Sequence, residues 1–408
     1  MASASVGGRP VVNRDRAFLI LAAMTGLTPL ATDMYIPAFP AMANELAASG
    51  SAIQSSIAAY MLGLVVGQLL LGPISDHTGR RPLLVAGAWL FALFSAVCVV
   101  APGADLLILA RLLQGMAGAA AMVLARAIIG DWYNGAEAAR RFSALTMIFA
   151  VGPILAPVLG GLLLGVGSWR LIFVVLAVLG VLLALPSMVW IPESLPPARR
   201  HTDSLVQAFR TMGALLKRRV FVGYVLVFAF ATVSLFAYLA GVSFVLQSVF
   251  GLSEWVTSLL FGLNAIGMLL GGAVFGALSR QYHVHRFLVA GVVLGLVATS
   301  ILWGFSVSLL PTLAALFVAM LATGLVFPAV LAAGQAAAPH ASGGASALLG
   351  AGQCLFGALA APLVGVFGVE SVRPMAGIMI AGFVLGGTAL IVLIQPWRQH
   401  DPIQTNQG

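Results

Sequence analysis

The sequence predicts an all-α integral membrane protein with twelve transmembrane helices in two six-helix halves. Of its 408 residues, 61% are apolar and only 8% are charged, whereas about 25% are charged in a typical soluble domain. The apolar residues form twelve runs, each close to the roughly 20 residues that a helix needs to cross a bilayer. The second six runs repeat the layout of the first six, which indicates an internal duplication.

The twelve predicted spans cover residues 17–39, 53–74, 82–101, 104–129, 142–165, 168–190, 219–247, 254–278, 286–306, 310–335, 344–368 and 373–395. The first run is too long for the apolar core of a signal peptide and contains Asp33 and Pro37, so it is interpreted as a membrane helix. The longest polar connection separates the halves. We therefore expect an N-terminal bundle (1–191), a linker (192–218) and a C-terminal bundle (219–408).

The distribution of basic residues predicts the orientation. With a cytoplasmic N-terminus, sixteen of the 20 Lys and Arg residues fall in cytoplasmic segments and only Arg170 and Arg373 fall in outer loops; Arg111 and Arg126 lie in span four. Because cytoplasmic loops carry an excess of Lys and Arg, we expect a multi-pass protein of a bacterial cytoplasmic membrane with both termini inside. The net charge of +8 is spread too thinly to predict nucleic-acid binding.

The sequence contains few residues that could carry out chemistry. Cys98 and Cys354 lie in apolar runs and predict neither a disulfide nor a metal site. The loops at Gly72–Leu84 and Gly276–Leu288 occupy matching places in the two halves. Such a parallel repeat is typical of secondary transporters that work by alternating access.

The loop after span two resembles the signature Gly-x-x-x-Asp-x-x-Gly-Arg-Arg/Lys of the major facilitator superfamily. The matching residues are Gly72, Asp76, Gly79, Arg80 and Arg81, and the resemblance implies the major facilitator fold. In the second-half loop Arg280 stands where the acid would be, so this contact is not expected there.

We expect this loop to act as a gate on the cytoplasmic side. A carboxylate at Asp76 is favoured by about 0.3–1 kcal/mol beside the N-terminus of span eleven through the helix dipole, and Arg80 can pair with Asp131. Both contacts are expected only when the two halves close on that side. The alternative is a tight turn with solvated charges.

Span five carries a Gly- and Pro-rich stretch over residues 152–161. Its Gly152, Pro153, Pro157, Gly160 and Gly161 resemble a motif of the drug-antiporter members of the superfamily. Glycines allow close approach of helices, and prolines bend them. Ordinary packing of membrane helices explains this stretch equally well.

Asp33 is the only acidic residue deep inside a predicted span, since Asp105 and Glu254 stand at span ends, in or near outer loops. All six histidines fall in cytoplasmic segments. Arg111 lies at nearly the same predicted depth in span four. A charge inside the membrane costs at least about 2.5–3.5 kcal/mol unless it has a partner or lines a wet cavity. We therefore expect Asp33 and Arg111 to be neighbours, directly or through water, in a proton and substrate site. A purely structural ion pair is the alternative.

Residues 32–40, 111–115 and 126–131 resemble the Bcr/CflA group of drug:proton antiporters, which includes phenicol and bicyclomycin exporters. The resemblance implies that Asp33 is the membrane-embedded acid and Arg111 the span-four arginine, with Tyr35 and Gln114 in the same site. Second-half candidates for the cavity are Tyr238, Gln247, Asn264, Trp303, Phe327, Gln335 and Gln353.

The predicted function is proton-coupled export of a small, neutral drug such as a chloramphenicol-type phenicol. A quaternary cation would be repelled by Arg111. Alternatives are export of another metabolite, of bicyclomycin-like drugs or of cationic drugs; a sugar carrier, an intramembrane enzyme and a channel are less well supported. We expect a monomer without cofactor or metal, whose partners are the drug, protons and the lipid bilayer.

Overall fold

The structure is a computed structural model that describes residues 14–133, 135–196, 212–338, 342–395 and 397. These residues form twelve long helices: α1 (Arg14–Asp33), α2 (Gly50–Thr78), α3 (Arg80–Val99), α4 (Ala104–Trp132), α5 (Gly135–Val166), α6 (Arg170–Trp190), α7 (Arg219–Phe244), α8 (Glu254–Leu278), α9 (Val284–Gly304), α10 (Leu309–Ala336), α11 (Ser342–Val366) and α12 (Arg373–Ala389). Eleven spans are long and apolar enough to cross a membrane, and α5 contributes the apolar segment Leu155–Val166. The predicted fold class is confirmed.

The first span is not one continuous helix. The α-helix ends at Asp33, a 3-10 turn follows at Ile36–Ala38, and a short outer helix covers Phe39–Glu45. Pro37 cannot donate a backbone hydrogen bond to a preceding carbonyl, so a helix is interrupted there. The predicted first span is present within the apolar segment Arg14–Glu45, but the backbone breaks inside it, so residues 17–39 do not form one continuous helix.

The two halves pack in the same way. In the first half α4 packs against α2 and α3, and α3 packs against α6; in the second half α10 packs against α8 and α9, and α9 packs against α12. The halves meet where α2 contacts α11 and α5 contacts α8. Residues 197–211 of the predicted linker lie outside the described residues.

The helix bundle has two ends. The end that carries Thr78–Arg80 is called the inner face, and the end that carries residues 33–50 is called the outer face, following the predicted orientation. Between them, α3 and α6 expose apolar side chains such as Leu93 and Leu182. Such a surface is suited to lipid, whereas α2 and α5 are the long helices of the first half described above as packing on the second half.

Candidate functional site

Asp33 lies at the break that ends α1. Its side chain is 5% exposed, and it is the only buried carboxylate among the described residues. In that part of the chain the carboxylate makes no hydrogen bond and no ion pair. Arg111 in the first half and Tyr238 in the second half both interact with it electrostatically. Asp33 therefore sits between the halves with its acceptor atoms uncommitted.

Arg111 on α4 is enclosed within the first half and is 0% exposed. Its Nη2 donates to the carbonyl oxygen of Ala31 at 2.9 Å, and its Nη1 donates to Oε1 of Gln114 at 2.5 Å. The rings of Tyr60 and Tyr35 lie 4.1 and 4.5 Å from its central carbon. A desolvated cation over an aromatic ring gains about 2 kcal/mol or more. The guanidinium therefore ties α4 to α1 and α2.

Tyr35 and Gln114 position this arginine. The Tyr35 hydroxyl shares a hydrogen bond of 2.9 Å with Oγ of Ser56, and Nε2 of Gln114 donates to Oγ of Ser95 at 2.6 Å. These bonds fix the ring and the amide that contact Arg111.

The expected neighbourhood of Asp33 and Arg111 is present, but among the described residues no ion pair joins them. A direct pair is therefore wrong for this conformation, because a carbonyl, an amide and two aromatic rings already surround the guanidinium. The burial of Arg111 also removes the basis for expecting it to meet a drug directly. Its charge acts on the site only through space.

The second half contributes a hydrogen-bonded polar pair near Asp33. Nδ2 of Asn264 donates to the hydroxyl oxygen of Tyr238 at 3.1 Å, and the ring of Phe261 lies 5.4 Å from the Tyr238 ring. The Tyr238 hydroxyl keeps its own proton for donation. This pair and Asp33 are brought together from three helices, α1, α7 and α8.

The other second-half candidates lie elsewhere. Trp303 is exposed near the outer end of α9, Phe327 packs on Phe228 with ring centroids 4.9 Å apart, Gln335 is exposed near the inner end of α10, and Gln353 is half-buried on α11. No hydrogen bond described in the structure joins any of these four residues to the Tyr238–Asn264 pair.

At the outer face, four hydrogen bonds between described residues join the two halves. Oγ of Ser243 donates to the carbonyl oxygen of Ile36 at 2.8 Å, and Nε2 of Gln247 donates to that of Pro37 at 2.7 Å. In the other direction, Nε2 of Gln54 donates to the carbonyl oxygen of Ala240 at 3.0 Å.

The fourth bond runs from Oγ of Ser51 to the carbonyl oxygen of Pro362 at 3.3 Å. These four bonds are named the outer gate. The conformation is therefore closed at the outer face.

At the inner face, the signature loop is held within the first half. Nη1 of Arg80 lies 2.6 Å from Asp76, and its Nε lies 3.5 Å from Asp131. The expected Arg80–Asp131 contact is present, although the expectation that it forms only when the inner face closes is wrong. Both residues belong to the first half, so the contact does not depend on the second half. Gly79 has a φ of 104°, a conformation that favours glycine.

Two residues after α6 complete this cluster and were missed by sequence reasoning. The Glu193 carboxylate accepts from the backbone N–H groups of Arg80 at 2.8 Å and Arg81 at 3.2 Å, which begin α3. Oγ of Ser194 donates to Asp131 at 2.6 Å. A carboxylate at a helix N-terminus satisfies free donors and complements the dipole. An acid next to a predicted membrane boundary, within a basic segment, was the available signal.

The Gly-rich stretch of α5 packs against both halves. A Cβ added at Gly152 would strike the Pro29 ring, and one added at Gly160 would strike the carbonyl oxygen of Met34, so both glycines let α5 lie close to α1 around Asp33. Gly161 faces Ser258 of α8. Pro157 is buried, and the side chain of Pro153 lies outside the described residues.

Comparison with known proteins gives a family match over most of the chain. The model of the Major Facilitator Superfamily matches residues 21–362. An uncharacterized MFS-type transporter of Bacillus subtilis is 38% identical over 92% of this chain and 94% of its own. Multidrug resistance protein D of Escherichia coli is 31% identical over 81% of this chain and 84% of its own.

A bicyclomycin resistance protein homolog of Haemophilus influenzae is 26% identical, covering 92% of this chain and 95% of its own. Among solved structures, a bacterial homolog of the lysosomal transporter Spinster gives a TM-score of 0.78 at 18% identity, covering 97% of this chain and all of its own. This last similarity concerns the fold alone.

Proposed function

The chain belongs to the major facilitator superfamily, and from this premise we propose that it is a proton-coupled exporter of small, neutral drugs that works by alternating access. As a member of this family it is a multi-pass membrane transporter and not an enzyme, and its relatives include drug exporters of the Bcr/CflA type. The single observation that carries the proposal is Asp33, a buried carboxylate between the halves without a hydrogen bond or ion pair in the described chain.

Proton coupling needs one group that is charged in one step and neutral in another. Each proton that crosses the membrane potential supplies about 2.3 kcal/mol per 100 mV. In this proposal Asp33 binds a proton from the outer side and releases it toward the inner side. A buried carboxylate without a counter-ion strongly favours a state in which a proton or a donor group compensates its charge.

The drug and the proton compete for the same oxygen atoms. A drug hydroxyl entering from the inner face can donate to the ionised Asp33, and a proton arriving later displaces it. Release outward requires the outer gate to separate, since its four bonds hold that face closed. Because Asp33 binds either the drug or a proton at one time, outward movement of the drug is exchanged for inward movement of a proton.

A compact, part-aromatic drug with hydroxyl groups fits this arrangement. Asp33 supplies the acceptor, the Tyr238 hydroxyl supplies a donor for a carbonyl or nitro oxygen, and Phe261 offers an aromatic surface. Chloramphenicol-type phenicols have this chemistry. A bicyclomycin-like compound is the second candidate, favoured by the name of the Haemophilus influenzae relative.

The test is uphill transport of radiolabelled chloramphenicol in proteoliposomes that carry a proton gradient. Asp33→Asn should abolish uphill transport while leaving exchange of labelled for unlabelled drug. The matched control is Asp105→Asn, which removes an exposed carboxylate at the outer end of α4. Full uphill transport by Asp33→Asn would contradict the proposal. If the protein transports bicyclomycin but not chloramphenicol, the proposal of proton coupling stands and bicyclomycin replaces the phenicol as its substrate.

A further inference from the structure

We propose that Arg126 on α4 is the residue that selects substrates by charge, binding an anionic group of the drug in the cavity that opens toward the inner face. The inference rests on the proposed export function and specifies the substrate class of the same carrier: neutral compounds and, in particular, compounds that carry one carboxylate.

Arg126 lies in the inner part of the membrane span that α4 forms. The midpoint of α4 (Ala104–Trp132) is residue 118, so Arg126 lies eight residues, or about 12 Å, toward the inner face. The hydrocarbon core extends about 15 Å from its centre. Arginine at such depth pairs with another group or faces a water-filled cavity.

The side chain of Arg126 is exposed, and its direction on α4 places it toward the second half. Arg111 points at α1, since it bonds to Ala31, whereas Met116 and Ala119 point at α2, since they meet its glycines. Arg126 follows Arg111 by fifteen residues, which rotates its direction about the α4 axis by about 60° from that of Arg111. This direction lies between the one toward α1 and the one toward α2.

Both flanking helices border the second half. The chain that continues from α1 is bonded to α7, and α2 packs against α11. On another side of α4 packs α3, which together with α6 exposes apolar side chains suited to lipid. The exposed guanidinium therefore lies in the space between the halves and not in lipid.

In the part of the chain that the structure describes, no carboxylate pairs with Arg126. Among the described residues, Arg80, Arg141 and Arg170 each form an ion pair with an acid, and Arg111 is enclosed by its own contacts. Arg126 has neither an ion pair nor a hydrogen bond in this part of the chain. Span four contains two basic residues, Arg111 and Arg126. Because Arg111 is enclosed, Arg126 is the one of these two that a substrate can reach.

An apolar surface lies one helical turn deeper. Met122 is on the same side of α4 as Arg126, and its sulfur accepts from Nε2 of Gln68 on α2 at 3.5 Å. A flexible thioether adapts to aromatic rings of different shapes. A drug whose carboxylate bonds to Arg126 could lay its ring on Met122 while it moves toward Asp33.

The chemistry favours a carboxylate over other groups. The planar guanidinium presents paired donors that match the two oxygens of a carboxylate. The charge of Arg126 does not weaken the binding of a neutral drug, whereas it repels a quaternary cation. Charge selection, which the sequence suggested for Arg111, is therefore assigned to Arg126.

Chloramphenicol and chloramphenicol succinate are the probes, since they share a body and differ by one carboxylate, with ethidium as the cation. Counterflow is measured in proteoliposomes for the wild type, Arg126→Gln and Arg126→Lys. Arg126→Gln should raise the KM for the succinate by about tenfold, the loss of one charge-assisted hydrogen bond. Its KM for chloramphenicol should change less than about threefold, within ordinary variation for a lost neutral contact.

Arg126→Lys should restore at least half of the lost affinity for the succinate, and Arg126→Gln should gain ethidium transport. The matched control is Arg140→Gln, which removes a surface cation of the inner face and should change none of these values. Equal shifts for both phenicols, or no rescue by lysine, would overturn the charge role.

Lipid headgroups also carry anions, so each measurement is repeated with and without phosphatidylglycerol. A succinate effect that persists without anionic lipid supports the drug as the ligand; an effect seen only with anionic lipid would overturn the proposal in favour of a headgroup. If the wild type transports no phenicol, the proposed function fails. Binding of the succinate to the detergent-purified protein then tests Arg126 alone: a tenfold loss in Arg126→Gln supports it, and unchanged affinity refutes it.

Discussion

Replacing Gln54 and Gln247 by alanine should open the outer face. Each amide donates one hydrogen bond to a main-chain carbonyl of the opposite half, at 3.0 and 2.7 Å. A bond of this kind contributes about 0.5–1.5 kcal/mol, so two contribute about 1–3 kcal/mol to the closed state. If the closed and open states interconvert, the ratio of closed to open molecules should fall by about 5- to 150-fold.

The distance between the outer ends of the two halves reports this change. Spin labels at Asn44 and Glu370, which are exposed on opposite halves, can be measured by pulsed electron resonance after Cys98 and Cys354 are replaced by alanine. The double variant should shift population from the short to the long distance. Each single variant should produce about half of the change in free energy, since the two bonds are separate.

Ser55→Ala is the matched control. Its hydroxyl donates at 2.8 Å to the carbonyl oxygen of Ser51 in its own helix, so it removes a polar atom next to Gln54 without touching the other half. It should leave the distance distribution unchanged. An unchanged distribution in the Gln54 and Gln247 double variant would show that these bonds do not hold the outer face closed.

Three further predictions concern orientation, packing and the inner cluster. An enzyme active only in the cytoplasm should give signal when fused at Gly408 and none when fused near Gly251, because the basic loops predict both termini inside. Gly160→Ala should lower the thermal unfolding midpoint in detergent and reduce transport, since its Cβ meets the Met34 carbonyl and overpacking costs about 1–3 kcal/mol. Glu193→Gln should slow transport severalfold while drug binding stays within a few-fold, because charged hydrogen bonds of about 1.5–3 kcal/mol hold the start of α3.

The controls for these predictions come from the same chain. The reverse fusion pattern would refute the orientation. Gly165→Ala should cause no loss, because a Cβ there meets nothing within 4 Å and alanine favours a helix more than glycine does; equal loss in both glycine variants would show that the loss does not come from the contact with α1. Glu370→Gln, at an exposed outer site, should leave transport unchanged, and a parallel loss there would remove any special role for Glu193.

Most of the fold could be predicted because the bilayer imposes one length and one composition on every span. Ten of the twelve predicted spans begin and end within a few residues of a helix, and α5 begins seven residues early. The break after Asp33 escaped the hydropathy pattern, since residues 34–39 are as apolar as a helix. The prolines that follow were visible, but composition alone cannot say whether a proline bends a helix or ends it.

The site was predicted in part. Elimination identified Asp33 and Arg111, because charges inside a membrane are rare and need a reason. It could not find the partners of Arg111, since carbonyl oxygens and aromatic rings carry no signal that distinguishes them from packing. It also proposed no role for Arg126, because the exposure of that side chain depends on which side of α4 it occupies, and this is set by tertiary packing.

The break in the first span also bears on how drug resistance can evolve in this carrier. All four acceptors of the outer gate are main-chain carbonyls, so a substitution at Ile36, for example, keeps the acceptor in place. Point mutations can therefore weaken the closed state only through the four donor side chains or through residues that move the backbone. Variants selected for faster export should accumulate at those donors, and the residues around the acceptors should tolerate change in side-chain identity while keeping their prolines.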